Sequence, residues 1–213
     1  MELTKIVLTI AVVLGILFIA ELGWRHYWLR GETGRKFVHI VVGTFVAFWP
    51  YFLDWTSIRL LSLAFFLVVL VSMQLGVFRA INSIQRPTYG EVFFALSVGL
   101  LTLTTTSKGI YAAAILQMAL ADGFAAIVGV RYGTQNKYHL LGRAKSIIGS
   151  LTFFVISLAL FIGYSHFSDN GLAWQYVIIG SIGATLLENV AVFGLDNLLV
   201  PLAVGLFLQT LAG

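Results

Sequence analysis

The polar residues of this chain arrive in short bursts, and the stretches between them stay apolar for long enough to cross a bilayer. A spanning helix needs about 20 mostly apolar residues. Eight stretches approach or meet that length: Leu3–Gly23, Phe37–Leu53, Ser57–Phe78, Tyr89–Thr106, Gly109–Arg131, Ser146–His166, Trp174–Phe193 and Asn197–Leu211. Charged residues make up only 10% of the chain and hydrophobic ones 59%, whereas soluble domains carry about 25% charged residues. A soluble globule could not be coated with so little polar surface, and a disordered chain could not keep so much apolar surface solvated. The absence of cysteine rules out a disulfide framework, an Fe–S cluster and a cysteine-ligated zinc site. The expected fold class is all-α: a polytopic integral membrane protein forming one domain over 1–213. It should have about eight spans, or seven and a re-entrant piece, because the last stretch is short.

The N-terminal apolar run from Ile6 to Ala20 has the length of a secretory signal. Its leading segment holds only Lys5, offset by Glu2, and no small-x-small cleavage site follows. It reads as a retained first helix. The three prolines, Pro50, Pro87 and Pro201, fall near expected helix ends, where proline is tolerated.

Positive charge sets the expected orientation. Arg25, Arg30, Arg35, Lys36, Arg79, Arg86, Arg131, Lys137, Arg143 and Lys145 lie after spans one, three and five, ten of the thirteen basic residues. Only Lys5, Arg59 and Lys108 fall on the other side. Those three connections should face the cytoplasm and both termini the opposite side. The net charge of +4 is then an orientation signal rather than a nucleic-acid footprint, and the expected location is a prokaryotic cytoplasmic membrane.

An ionisable side chain at mid-bilayer costs about 2.5–3.5 kcal/mol on insertion scales, so each one needs a reason. His39, Glu91, Asp122, Glu188, Asp196 and the neighbouring Asn197 all converge on the cytoplasmic half. Asp122 is deepest, about 13 Å from Arg131 by helical rise. It lies on a stripe with Met118, Ala125 or Ala126, Gly129 and Gly133, whose small residues would admit a helix or ligand. Ser181, Thr185 and Glu188 form a polar stripe leading to the Asp196–Asn197 turn. The basic connection from Tyr132 to Lys145 runs into Ser146, a favoured N-cap residue, and a helix N-terminus offers free N–H groups to an anion. Lys137, Arg143 and Lys145 would balance phosphate oxygens. Carboxylates beside such an element suit a magnesium–nucleotide complex. P-loop, dinucleotide-fold and H-E-x-x-H signatures are absent. The four histidines are too dispersed for a histidine-rich metal centre; His39, one turn after Arg35 and Lys36, is the one placed for a role.

The segments ETGRKFVHI (32–40), YGE (89–91), ADGFAAIVGVRYGTQNK (121–137), AKSIIGS (144–150), and Glu188 followed by DNLLVP (196–201) resemble the CTP-dependent polyprenol kinases. That family includes dolichol kinase, phytol kinase and the CTP-dependent diacylglycerol kinase, with the CDP-diacylglycerol synthases more distant. The resemblance implies transfer of the γ-phosphate of CTP to a lipid alcohol, with Mg²⁺ as the metal. It implies Asp122 as the motif aspartate, acting as metal ligand or as base. It implies Lys145 and Ser146, with Gly149 and Ser150, as the phosphate-binding element, and Glu188, Asp196 and Asn197 as the C-terminal acidic motif. Ile148 departs from relatives that carry an acidic or small residue there. The site is expected from 32–39, 88–91, 122–150 and 188–201. Asp122, Lys145 and His39 are its catalytic candidates, Asp122, Glu188 and Asp196 its metal candidates, and Arg35, Lys36, Lys137, Arg143, Lys145, Ser146, Ser150 and Asn197 its nucleotide candidates. Glu91, Gly129, Gly133 and Gly149 support them.

Three activities compete at this level: a lipid-alcohol kinase, a cytidylyltransferase making a CDP-lipid, and an ion-coupled transporter. The near absence of ionisable residues in the outward half counts against transport. A C15–C20 isoprenoid alcohol such as farnesol, geranylgeraniol or phytol is the expected acceptor, with dolichol, undecaprenol and diacylglycerol as competitors. Phe93, Phe94, Phe124 and Phe153 are candidates to line its slot. The expected partners are the lipid alcohol, CTP and membrane lipids, and a homodimer is compatible with the sequence.

Overall fold

The computed structural model describes residues 2–26, 31–75, 89–168 and 171–212. Arg30, Arg79, Arg86, Pro87 and Thr88 lie outside them, as does the side chain of Glu32. Among the described residues the chain forms eight helical rods and one β-hairpin. The rods are α1 (Glu2–Arg25), α2 (Gly31–Ala47), α3 (Trp55–Leu75), α4 (Gly90–Thr104), α5 (Lys108–Tyr132), α6 (Ile147–Phe167), α7 (Trp174–Val190) and α8 (Asp196–Ala212). By length and composition, α1, α3, α5 and α6 can each cross a membrane, while α4 and α8 are shorter apolar helices. The chain is a helical membrane-associated protein.

α5 is the structural centre, packing against α2, α6 and α8. Its alanines and the glycines of its neighbours make this contact close, as expected where helices associate by packing rather than by hydrophobic exclusion. A Cβ on Gly43 of α2 would meet the Cβ of Ala119 at 2.5 Å, and one on Gly205 of α8 would lie 3.8 Å from the Cβ of Ala114. Within α5 the α-helix Lys108–Leu116 widens into a π-helical segment, Gln117–Asp122, and resumes as Gly123–Tyr132. Ser107 caps its start, accepting from Ile110 N at 3.4 Å.

Several local expectations are corrected. α2 begins at Gly31, so Arg35 and Lys36 are helical rather than part of a connection, and a 3-10 turn (Trp49–Tyr51) follows its end. Pro201 lies inside α8, not at its boundary. The basic connection after α5 is a hairpin of β1 (Lys137–Leu140) and β2 (Arg143–Ser146), among the described residues the one departure from an all-α chain. Its antiparallel register pairs Tyr138 with Lys145 and Lys137 with Ser146. Leu141 (φ 49°) and Gly142 (φ 75°) make the turn. Positive φ at both central positions is what a two-residue hairpin needs to match strand twist.

Candidate active site

Side chains directly opposite each other in an antiparallel pair emerge on the same face. Tyr138 and Lys145 therefore point together at the end of α7, where they meet two consecutive residues. Lys145 Nζ lies 2.5 Å from both Oε1 and the main-chain oxygen of Glu188. The Tyr138 hydroxyl bonds to Asn189 and lies 2.6 Å from Ser150 Oγ, which donates to Asn189 Oδ1 at 2.8 Å. Ser146 leaves β2 directly into the N-cap of α6 and accepts from Gly149 N at 3.0 Å. Gly129 makes room for this cap, since a Cβ there would lie 2.9 Å from Ser146 Oγ and 3.3 Å from Gly149 Cα.

The turn between α7 and α8 is held from two sides. Tyr89 N donates to Phe193 O at 3.0 Å, and Asn197 Nδ2 to Gly90 O at 2.9 Å. The Arg143 guanidinium stacks 4.6 Å from the centre of the Phe193 ring. Phe193 (φ 57°) and Gly194 (φ 89°) reverse the chain so that Asp196 opens α8 facing α5. Oxygen atoms of Asp122, Glu188 and Asp196 consequently lie within 4.8 Å of one another. Asp122 and Glu188 are buried.

Cations surround this carboxylate group. Lys36, only 4% exposed, is ion-paired to Asp122. His39 Nε2 is 3.4 Å from the same carboxylate and 3.0 Å from Met118 O. Arg35 pairs with Glu91 at 3.2 Å, joining α2 to the start of α4. Asn197 Oδ1 is buried without a hydrogen-bond partner. Three clustered carboxylates and an unsatisfied amide oxygen on the adjoining residue form the hard-oxygen donor set that a Mg²⁺ ion takes.

The structure thus brings Arg35, Lys36, His39, Glu91, Asp122, Lys145, Ser146, Gly149, Ser150, Glu188, Asp196 and Asn197 to one end of the bundle. Lys137 is exposed at the start of β1, and Arg143 is engaged with Phe193. The expected polar stripe on α7 is turned inward on its own backbone: Ser181 Oγ donates to Val177 O and Thr185 Oγ1 to Ser181 O, both at 2.7 Å. Tyr138 and Asn189 were not anticipated. An asparagine next to Glu188 inside an apolar run was the available signal. Of the four phenylalanines, Phe153 is fully buried in the core and Phe124 is exposed; Phe94 borders an apolar groove.

Comparison with known proteins adds an identity to this geometry. A phytol kinase of Synechocystis sp. is 35% identical over 194 residues, covering 88% of this chain and 82% of the relative. A probable chloroplastic phytol kinase 2 of Glycine max is 28% identical over 191 residues, 82% of this chain and 64% of the relative. One from Triticum aestivum is 29% identical over 198 residues, 82% of this chain and 66% of the relative. The chain therefore spans about two thirds of the length of these plant relatives. No family model and no solved structure matches it. The class these matches define is the membrane kinases of lipid alcohols. Within that class, the chain belongs to the polyprenol and phytol kinase family.

Proposed function

We propose that this protein transfers the γ-phosphate of CTP to a C15–C20 isoprenoid alcohol such as phytol, geranylgeraniol or farnesol, at the cytoplasmic boundary of the membrane. The observation that carries this reading is the three-carboxylate cluster ringed by Lys36 and Lys145 and adjoining the capped start of α6. Phosphoryl transfer asks for positioning and charge neutralisation more than for covalent chemistry, and this end of the bundle supplies both.

In the reaction the alcohol oxygen bonds to the γ-phosphorus, and the bond from that phosphorus to the bridging oxygen breaks. CDP departs with the electron pair, and the hydroxyl proton passes to the Asp122–His39 pair. Asp122, Glu188 and Asp196 would hold Mg²⁺, which when bound neutralises the polyphosphate oxygens. Lys145, released from Glu188 as the nucleotide arrives, takes up a phosphate oxygen. The Ile148 N–H at the start of α6 donates to another, since those of Ile147 and Gly149 are already given to Asn136 O and Ser146 Oγ. Lys36 stays on Asp122 and limits the repulsion among the carboxylates.

Incubating the purified protein with γ-labelled CTP, Mg²⁺ and each alcohol tests this directly. Label on the prenol is the expected result. Release of pyrophosphate with formation of a CDP-lipid would replace the kinase by a cytidylyltransferase. Labelling of diacylglycerol alone would replace the acceptor.

A further inference from the structure

An apolar groove of about 180 Å³ runs between α1, α2, α3 and α4. One wall is the stripe Val42 and Val46 of α2, continued by Trp49 of the 3-10 turn that follows, and it descends away from Arg35 and Lys36 over about 10 Å. Two hydroxyls in its lining are already committed to backbone: Thr9 donates to Lys5 O at 2.8 Å, and Ser62 to Ala95 O at 2.7 Å. The indole N–H of Trp49 at the far end has no partner and offers a donor alone. A single donor at the far end gives the groove little hold on a polar ligand, and an apolar cavity of this kind is the sort that stays dry. Exposed Leu14 on α1 and Val68 on α3 flank its mouth, so it opens sideways to the membrane interior.

Its inner end meets the phosphoryl-transfer cluster. Phe94 closes the groove there, and the Phe94 ring packs edge-on against His39 with centroids 5.5 Å apart. His39 in turn lies 3.4 Å from Asp122. One aromatic ring thus separates the groove from the imidazole that touches the central carboxylate. Gly43 leaves room for that ring, since a Cβ there would come within 3.3 Å of Phe94 Cε2.

We infer that this groove is the tail-binding subsite of the acceptor. It holds the hydroxyl-proximal isoprene units of the lipid alcohol, and Phe94 guides the head group past His39 towards Asp122. The inference rests on the lipid-alcohol kinase reading. Lipid tails are as apolar as the groove, so it contributes little hydrophobic driving force. Its role is shape selection and placement, holding the hydroxyl in register with the phosphate.

The test uses the full-length protein in detergent or nanodiscs and two photoreactive probes, a diazirine-bearing geranylgeraniol and a diazirine-bearing phosphatidylcholine. Geranylgeraniol should label peptides of α1 and α3, and excess phytol should compete. Ala64→Trp, which fills the mouth, should abolish that labelling and raise KM for the alcohol about tenfold or more while leaving KM for CTP unchanged. Leu206→Trp, on the exposed face of α8, should change neither. Labelling confined to α5 and α6, or equal labelling of the groove by phosphatidylcholine, overturns the inference whether or not Ala64→Trp folds. A wild-type protein that labels in the groove but phosphorylates no alcohol overturns the kinase reading and leaves the groove standing as a prenol-binding site.

Discussion

Lys145 holds Glu188 by two atoms at once, its side-chain oxygen and its main-chain carbonyl, each 2.5 Å from Nζ. The double grip fixes the end of α7 against the hairpin, and it keeps a lysine beside the carboxylate cluster.

Lys145→Met should therefore do two separable things. It should lower thermal stability, because Glu188 is left mostly buried and uncompensated, and it should raise the CTP requirement. Adding Glu188→Gln removes the orphaned charge, so the double variant should recover stability while remaining inactive. Thermal melts alongside kinase assays read both effects, and recovery of activity in the double variant would contradict the assigned role.

Lys36 and Asp122 form the most deeply buried pair of the site. Breaking one partner of such a pair costs about 3–5 kcal/mol. Lys36→Met and Asp122→Asn should each be destabilised on that scale, with the pair of substitutions together costing less than their sum. Asp122→Asn should have no measurable turnover in protein that remains folded in the membrane.

Metal binding can be tested without nucleotide or lipid. Mn²⁺ titrated into the purified protein and followed by electron paramagnetic resonance should bind at one site. Asp196→Asn and Glu188→Gln should each weaken it by about tenfold or more. Unchanged binding in both would remove the carboxylates as ligands.

Gly129 is predicted to be intolerant of any side chain. Gly129→Ala would press on Ser146 Oγ and on the Gly149 backbone, and overpacking of this kind costs about 1–3 kcal/mol. KM for CTP should rise because the α6 N-terminus moves. Gly163→Ala, where a Cβ meets nothing within 4 Å, should be silent in the same assays.

Orientation follows from the basic residues. Reporter fusions after Lys137 should score cytoplasmic and fusions after Gly171 external. The opposite result at Lys137 would place the carboxylates on the face that CTP does not reach.

The rods were legible because each holds an apolar run closed by charge, glycine or a turn; most helix ends differ from the sequence expectation by a few residues, but α2 is displaced towards the N-terminus at both ends, Gly31–Ala47 against the expected Phe37–Leu53. α2 starts early because Arg35 and Lys36 have partners in Glu91 and Asp122. Their charge marks a helix end only when the partners are unknown. The hairpin was hidden for a different reason. Its turn is Leu141–Gly142, which lacks the asparagine or aspartate that usually signals positive φ at the first position. The site residues could be named from sequence because charge is costly in a bilayer. Their pairing could not, since Lys36 and Asp122 are 86 positions apart. Asn189 stood out beside Glu188 in an apolar run, but its role depends on Tyr138, a residue of the unforeseen hairpin.

The π-helical segment Gln117–Asp122 has a consequence for how this helix tolerates change in length. A π-turn is an α-helix holding one surplus residue. Excising one residue between Gln117 and Ala121 would remove the surplus and let the rod relax to a regular helix, with Lys108–Leu116 and Gly123–Tyr132 left close to their present relative rotation. One residue cut instead from the regular stretch Lys108–Leu116 would turn Asp122 and Gly129 by about 100° relative to the start of α5, the rotation per residue of a 3.6-fold helix. The π-turn is thus the one place described in α5 where a residue can be lost without turning the carboxylate end of the rod away from its neighbours.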